Sequence, residues 1–245
     1  MDITTLLGFI AMAGLLVLGV FTGQLPSFFL NWHGLGIVLG GSFAAMLVNT
    51  PSWQIRGAVS AFFVALRGGH RTNTEKLITA IVSLAEQVRA RGLSALQGAG
   101  GNEADGFLAK AAAVAIEYNN ADLVEEILIN DINTTFDRNN EITNVYRTLS
   151  VLAPMFGLLG TLIGIVSVLK EISNPENVGK AMAVAMTTAF YGISLANMIC
   201  VPVAGKLRSR NLEELRVRSM AADGIVMMLR GSVPLAIERK LRSYR

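Results

Sequence analysis

The sequence predicts an all-α, multi-pass membrane protein with four transmembrane helices, a helical cytoplasmic insert and a cytoplasmic C-terminal helix. Three observations carry that reading. Of 245 residues, 52% are hydrophobic and 16% charged, against about 25% charged in an average soluble domain, and the mean hydropathy is +0.48. Charge-free stretches run from Ile3 up to Arg56, over 148–169 and over 181–205, and about 20 apolar residues suffice to cross a bilayer core. The Lys and Arg residues gather on one side of those stretches.

The first stretch is too long for one span. It divides at Thr22-Gly23-Gln24-Leu25-Pro26-Ser27 and at Asn31-Trp32-His33-Gly34, which are turn-forming and interfacial residues. This places helices at 3–21 and 34–49, and the later stretches place helices at 148–169 and 181–203. The first helix reads as a retained span, because Met1-Asp2-Ile3 lacks the positive charge of a cleaved leader and a second apolar segment follows at once. The chain thus divides into a transmembrane hairpin (1–50), a cytoplasmic helical domain (51–147), a second transmembrane hairpin (148–205) and a cytoplasmic C-terminal helical tail (206–245). Nine of the 21 Lys and Arg residues lie between Arg56 and Arg147 and ten between Lys206 and Arg245, with only Lys170 and Lys180 near the tip of the second hairpin. Basic residues stay on the cytoplasmic side, so the insert, the C-terminus and, by parity, the N-terminus are assigned to the cytoplasm.

Residues 51–147 are too many for a loop without structure. The apolar run 58–66, ending in Arg67-Gly68-Gly69-His70, is either a helix along the membrane surface or a packing helix. Between Thr74 and Arg91, Leu77, Ile78, Ile81, Leu84, Ala85 and Val88 recur at helical spacing, and Gly92 follows the end. Gly98-Ala99-Gly100-Gly101-Asn102 separates that helix from one at 107–117. A further helix starts near Asn120 and runs through Leu123, Ile127 and Ile129, with Asp122, Glu125 and Glu126 favouring its first turns. In the tail, 208–230 alternates Arg and Glu with Leu, Met and Val and reads as an amphipathic helix packing on the insert.

Composition excludes several functions. A single cysteine, Cys200, rules out a disulfide framework or a Cys-based metal cluster, and two histidines, His33 and His70, argue against a His-rich site. No metal and no cofactor are expected. The net charge of +3 is not gathered into the face that nucleic acid requires. The spans hold no carboxylate pair, triad or metal-ligand spacing, so the chain does not read as an enzyme.

The informative residues are the small ones. On the third helix Ala153, Gly157, Gly160, Thr161, Gly164 and Ser167 share a face, and on the fourth Ala181, Ala185, Thr188, Gly192, Ala196 and Cys200 do so. Gly36, Gly40 and Ala44 repeat the pattern on the second helix, where it reads as packing within one subunit. Small residues at this spacing let backbones approach closely, which makes Gly157, Gly160, Gly164, Ala185 and Gly192 the candidate helix-packing face. The third and fourth helices either pack only on each other, or surround a helix of another chain, or line a narrow polar path. Thr161 and Thr188 are the candidate ion-path residues, although each hydroxyl has the alternative of a carbonyl one turn back in its own helix. A moving cation needs oxygen ligands where it sheds water, yet none of the four helices contains Asp or Glu. Any titrating carboxylate must then come from a partner. Pro154 and Pro202, both near cytoplasmic helix ends, either bend their helices statically or act as coupling hinges.

Ala153-Pro154-Met155-Phe156-Gly157-Leu158-Leu159-Gly160-Thr161-Leu162-Ile163-Gly164 resembles the third-helix motif of the flagellar stator A subunits, the MotA/PomA family of the MotA/TolQ/ExbB superfamily. Ala181-Met182-Ala183-Val184-Ala185-Met186-Thr187-Thr188-Ala189-Phe190-Tyr191-Gly192, Ala196-Asn197-Met198 and Val201-Pro202-Val203-Ala204 resemble the fourth helix and its end, and Gly40-Gly41-Ser42 fits the opening hairpin. The resemblance implies a motility and chemotaxis motor of the bacterial inner membrane. In it, a homopentamer surrounds a single-span B-type partner with a membrane Asp and a peptidoglycan-binding domain. Ion flow turns the ring against a flagellar rotor or a similar machine. Pro154 and Pro202 match the family's two functional prolines, and Thr161 and Thr188 match threonines of sodium-driven members, which favours Na+ over H+ as the transported cation. The rotor-facing charge motif is matched by Arg89 and Arg91, but Gln97 stands eight residues after Arg89 where the family has Glu. Either Glu103 or Asp105 substitutes, or another machine is driven. Asn31 stands where sodium-type members carry an acid. Two other readings are an ExbB/TolQ-type energising subunit, which usually has three spans, and a non-conducting membrane scaffold.

Overall fold

A computed structural model describes residues 3–22, 31–67, 73–97 and 103–244. The Gly98–Asn102 break, the turn from Gly23 to Ser27 and the Gly68–His70 segment lie outside the described residues. The elements are helices, with no strand among the described residues, and the all-α class holds. They are α1 (Ile3–Phe21), α2 (Trp32–Asn49), α3 (Ser52–Arg67), α4 (Thr74–Arg91), α5 (Phe107–Tyr118), α6 (Ala121–Lys170), α7 (175–229) and α8 (Pro234–Arg242). Stretches within α2, α6 and α7 are long and apolar enough to cross a membrane, and α1 carries a shorter apolar stretch at Leu7–Gly19.

Two boundaries differ from the sequence reading. The helix expected from Asn120 and the span expected from Thr148 are one 50-residue helix, α6. The fourth span and the amphipathic tail are likewise one helix, α7, interrupted only by a wider π-type turn at Leu195–Cys200. The polar stretch from Asn130 to Asn140 contains neither Gly nor Pro. Its members Asn130, Asn133, Thr134, Asp137 and Arg138 are exposed, so they cost the helix only weak propensity.

The chain forms two compact units, Met1–Gly69 with Glu141–Arg208, and His70–Asn140 with Ser209–Arg245. In the first, Gly34, Val38, Ser42 and Met46 of α2 are buried in steps of four, and Thr50 just past its end is buried as well. Four residues turn an α-helix by about 400°, so such a ladder drifts by about 40° per step. The wider turn at Gly36–Gly40 takes up that drift. Met46, Ala58, Val145, Tyr146, Leu149, Cys200, Val203 and Ala204 form one core. Tyr146 satisfies its hydroxyl on the Ala58 carbonyl at 2.6 Å, and Gly57 admits Ile142, whose Cδ1 would lie 2.8 Å from a Cβ there. The apolar run 58–66 thus lies in α3, one face packed and Val59, Phe63 and Val64 exposed.

In the second unit, Asn73 caps α4 by accepting from the amides of Glu75 and Lys76 at 3.1 and 3.3 Å, and Gly92 ends it at φ +75°, where a side chain is strained. Leu77, Ile78, Ile81, Leu128, Met220, Ile225, Ile237 and Leu241 are almost wholly buried in its core. A polar strip crosses this core. Arg218 pairs with Glu214, reaches Thr135 at 3.4 Å and lies over the Phe107 ring at 5.4 Å, while Asn211 donates to the Phe136 carbonyl at 3.2 Å.

The amphipathic α8 inserts Ile237 and Leu241 into that core, and Tyr244 closes its end by donating to Asp223 Oδ2 at 2.8 Å. Burial, then the hydrogen bond and charge of Asp223, push the Tyr244 phenol up to about 12. A phenol raised on folding stabilises the fold below its ordinary value near 10, and that contribution is lost as pH climbs toward 12. At neutral pH it is fully present. Tyr244→Phe is therefore expected to speed amide exchange in α8 roughly fivefold at neutral pH, the effect of losing about 1 kcal/mol, with exchange in α4 unchanged. Hydrogen exchange read by mass spectrometry checks this.

Candidate functional site

The membrane parts of α6 and α7 meet backbone to backbone. A Cβ at Gly192 would fall 2.5 Å from the Ala153 carbonyl oxygen and 3.1 Å from Pro154 Cα. At Gly157 it would lie 2.9 Å from the Thr188 carbonyl, at Gly160 between 2.5 and 2.7 Å from three Thr188 side-chain atoms, and at Gly164 2.6 Å from Ala185 Cβ. Four rungs, Ala153–Gly192, Gly157–Ala189, Gly160–Thr188 and Gly164–Ala185, thus leave no space for a larger residue. By contrast, nothing lies within 4 Å of a Cβ at Gly36 or Gly40. The expectation that this second-helix pattern packs within the subunit is corrected: the Gly36–Gly40 turn rotates Gly34, Val38 and Ser42 inward instead.

The two threonines converge. Thr161 Oγ1 lies 3.1 Å from the Gly157 carbonyl of its own helix and 3.0 Å from the Ala185 carbonyl across the contact. Thr188 Oγ1 lies 3.0 Å from both the Val184 and Ala185 carbonyls. The Ala185 carbonyl therefore receives both hydroxyls. Each hydroxyl donates its proton inside the protein and keeps its lone pairs, which leaves oxygen that can face a cation but no group that titrates. Thr188 is wholly buried and Thr161 half-buried.

Tyr191 and Gly34, whose roles the sequence did not indicate, complete this layer together with Asn31. Tyr191 Oη accepts from the Asn31 amide at 3.0 Å. Asn31 Oδ1 in turn caps the start of α2, accepting from His33 and Gly34 amides at 3.0 and 3.2 Å. Gly34 abuts the threonine pair: a Cβ there would lie 3.1 Å from Thr188 Cγ2 and 3.2 Å from Thr187 Oγ1. The N-cap signal of Asn31 was legible in the sequence, but its pairing with a residue 160 positions away was not.

Pro154 is half-buried inside α6, and Pro202 is exposed, two residues beyond the π-type turn of α7. Lacking an amide hydrogen, each leaves a carbonyl about one turn back without its helical donor. In the other unit, Arg89 and Arg91 are exposed in the last turn of α4, where the helix dipole favours cations. Gln97 is exposed at the end of the turn Leu93–Leu96. The side chains of Glu103 and Asp105 lie outside the described residues. Among the described residues, no group of three or more His, Cys, Asp or Glu is placed to hold a metal ion.

Residues 99–220 match the MotA/TolQ/ExbB proton channel family. Over 244 residues the chain is 32% identical to the chemotaxis protein PomA of Vibrio alginolyticus, an alignment that covers 100% of this chain and 95% of the relative. The chain belongs to this family. It is 30% identical to the motility protein A of Aquifex aeolicus, with 98% of this chain and 95% of that one aligned. A chain in the flagellar MotAB stator complex from Bacillus subtilis has the same fold, with a TM-score of 0.88 at 25% identity over 99% of this chain and 96% of that one. The MotA/TolQ/ExbB proteins are membrane channel and motor components, not enzymes, and the protein is a membrane protein of that kind.

The contrast between packed and open glycines yields a measurable difference. Gly192→Ala drives a methyl into the Ala153 carbonyl and is expected to cost about 1–3 kcal/mol, as overpacking does. Gly36→Ala meets open space and is expected to be neutral or slightly stabilising. Thermal unfolding of the detergent-solubilised chain distinguishes the two.

Proposed function

We propose that this chain is the A-type subunit of an ion-driven stator. Five copies form a ring around a single-span B-type partner that carries a membrane Asp and a peptidoglycan-binding domain, and cation flow turns the ring against a flagellar rotor or similar machine. The observation that carries this reading is a paired one. The chain belongs to a channel family, yet its membrane-crossing stretches contain no Asp or Glu. It offers hydroxyl oxygens at one level of the α6–α7 contact and leaves the titrating group to a partner. The names of the relatives, a chemotaxis protein, motility proteins and a flagellar MotAB stator complex, support the same machine.

Sodium is the favoured ion, because a hydroxyl can replace a water around sodium whereas proton transfer to a carboxylate needs no such ligand. Thr161 and Thr188 form the hydroxyl layer of that ion pathway. Pro154 and Pro202 serve as coupling hinges, and Arg89 and Arg91, with uncharged Gln97 beside them in sequence, face the rotor. The distribution of Lys and Arg supports an inner-membrane orientation with the N-terminus, the insert and the C-terminus in the cytoplasm.

Motor speed is expected to fall as external sodium is withdrawn at fixed pH and membrane potential, and Thr161→Ala is expected to lower it with the complex intact. Unchanged speed in sodium-free medium would remove sodium and leave the proton. Arg89→Glu tests the rotor-facing assignment. An exposed ion pair is worth about 0.2–1 kcal/mol, so losing one attraction weakens each contact roughly 1.4- to fivefold, and reversing the charge weakens it further. Torque on tethered cells is expected to drop accordingly, while membrane insertion and partner binding stay normal.

A further inference from the structure

We propose that the two threonines have different tasks. Thr161 offers its oxygen to the cation path, and Thr188 is a positioning residue behind it, held in a clamp between Gly160 and Gly34 whose Gly34 side is anchored through Tyr191. The inference rests on the stator reading above and assigns the roles within it.

Exposure separates the pair first. Thr188 is wholly buried, whereas Thr161 is half-buried. Contact geometry then explains what Thr188 does. Its side chain is held between glycines of two different helices: a Cβ at Gly160 of α6 would lie 2.5 Å from Thr188 Cγ2, and one at Gly34 of α2 would lie 3.1 Å from the same atom. So confined, Thr188 holds its hydroxyl oxygen 3.0 Å from both the Val184 and the Ala185 carbonyls of its own helix. The latter carbonyl is also the acceptor that Thr161 reaches across the helix contact at 3.0 Å. The Ala185 carbonyl is thus shared by the two hydroxyls, and the position of the Thr188 hydroxyl biases whether Thr161 donates to Ala185 or to Gly157, and with it the direction of the Thr161 lone pairs.

The Gly34 side of the clamp has its own anchor. The start of α2 is fixed to α7 by the hydrogen bond from the Asn31 amide to Tyr191 Oη at 3.0 Å. The Asn31 side chain ties the same residue to the His33 and Gly34 amides. Tyr191 also faces Gly34 directly, its Cε2 lying 3.6 Å from where a Cβ would be. Loosening this anchor lets α2 withdraw from Thr188, and the disturbance reaches Thr161 through the shared carbonyl. An ordinary packing contact would carry no such link to the cation.

The test uses the stator complex co-expressed with its B-type partner. It reads the half-saturating concentration of the driving cation for motor speed, with affinity purification of the complex reporting assembly. Tyr191→Phe, which removes the hydroxyl that accepts from the Asn31 amide, is expected to raise that concentration about two- to tenfold with assembly normal. Gly34→Ala is expected to act in the same direction. Thr161→Val is expected to raise it further, and Tyr191→Phe combined with Thr161→Val to match Thr161→Val alone, because both act through one hydroxyl. Thr188→Ser, which keeps the hydroxyl, is expected to stay near wild type where Thr188→Val does not. Independent, additive effects of Tyr191→Phe and Thr161→Val overturn the clamp, as does a Tyr191→Phe complex with wild-type cation response. A Thr161→Val complex that responds to the cation as wild type does sinks the pathway reading itself.

Discussion

The approach of α6 to α7 constrains everything else in the membrane unit. Lipid provides no hydrophobic drive between two apolar helices, so their association depends on surface fit and on contacts that only close backbones can make. Glycine at 157, 160, 164 and 192 permits that approach. The same approach brings the Thr161 hydroxyl within hydrogen-bond distance of a carbonyl on the other helix, which a bulkier ladder would hold apart. Packing and chemistry in this layer therefore share one set of residues. The large side chains of both helices, Met155, Leu158, Leu162, Met186 and Ile193 among them, are turned outward, available to lipid or to other chains.

The chemistry of the layer follows from what its groups can and cannot do. Threonine hydroxyls bonded to helix carbonyls are cheap to keep in a membrane, because the proton is satisfied within the helix pair. They offer lone pairs without charge. A carboxylate in the same place would be costly without a permanent partner. A helix pair built in this way keeps hydroxyl oxygens at its contact without placing a charge there.

The second unit, His70–Asn140 with Ser209–Arg245, follows different physics. Its helices bury a contiguous apolar core and spend their charge on exposed or half-exposed pairs, such as Arg230 with Asp122 and Glu125 and Lys110 with Asp131. Pairs of that kind contribute little to stability. The strip of Arg218, Glu214, Thr135 and buried Asn211 instead links α6 to α7 through specific polar contacts. Against that background, Arg89, Arg91 and Gln97 are exposed on the surface of a well-packed unit, with only one sign of charge among them.

Composition and pattern alone determined the all-α membrane class, the spans in α2, α6 and α7, the bounds of α4 and the absence of carboxylates from the spans. These properties reside in hydropathy, charge and periodicity, which are local. The glycine and threonine pattern of the third and fourth helices was equally legible, and so was the cap at Asn31. Tertiary structure alone decided which small residues are packed: Gly34 and Gly41 face neighbours while Gly36 and Gly40 do not, because a π-type turn shifts the face by an amount no residue spacing reveals. It also decided that α6 runs unbroken for 50 residues, since exposed polar residues cost a helix too little to end it. The meeting of Thr161, Thr188 and the Ala185 carbonyl, and the bond from Asn31 to Tyr191, join residues distant in the chain, and only the packing of helices on one another sets such distances.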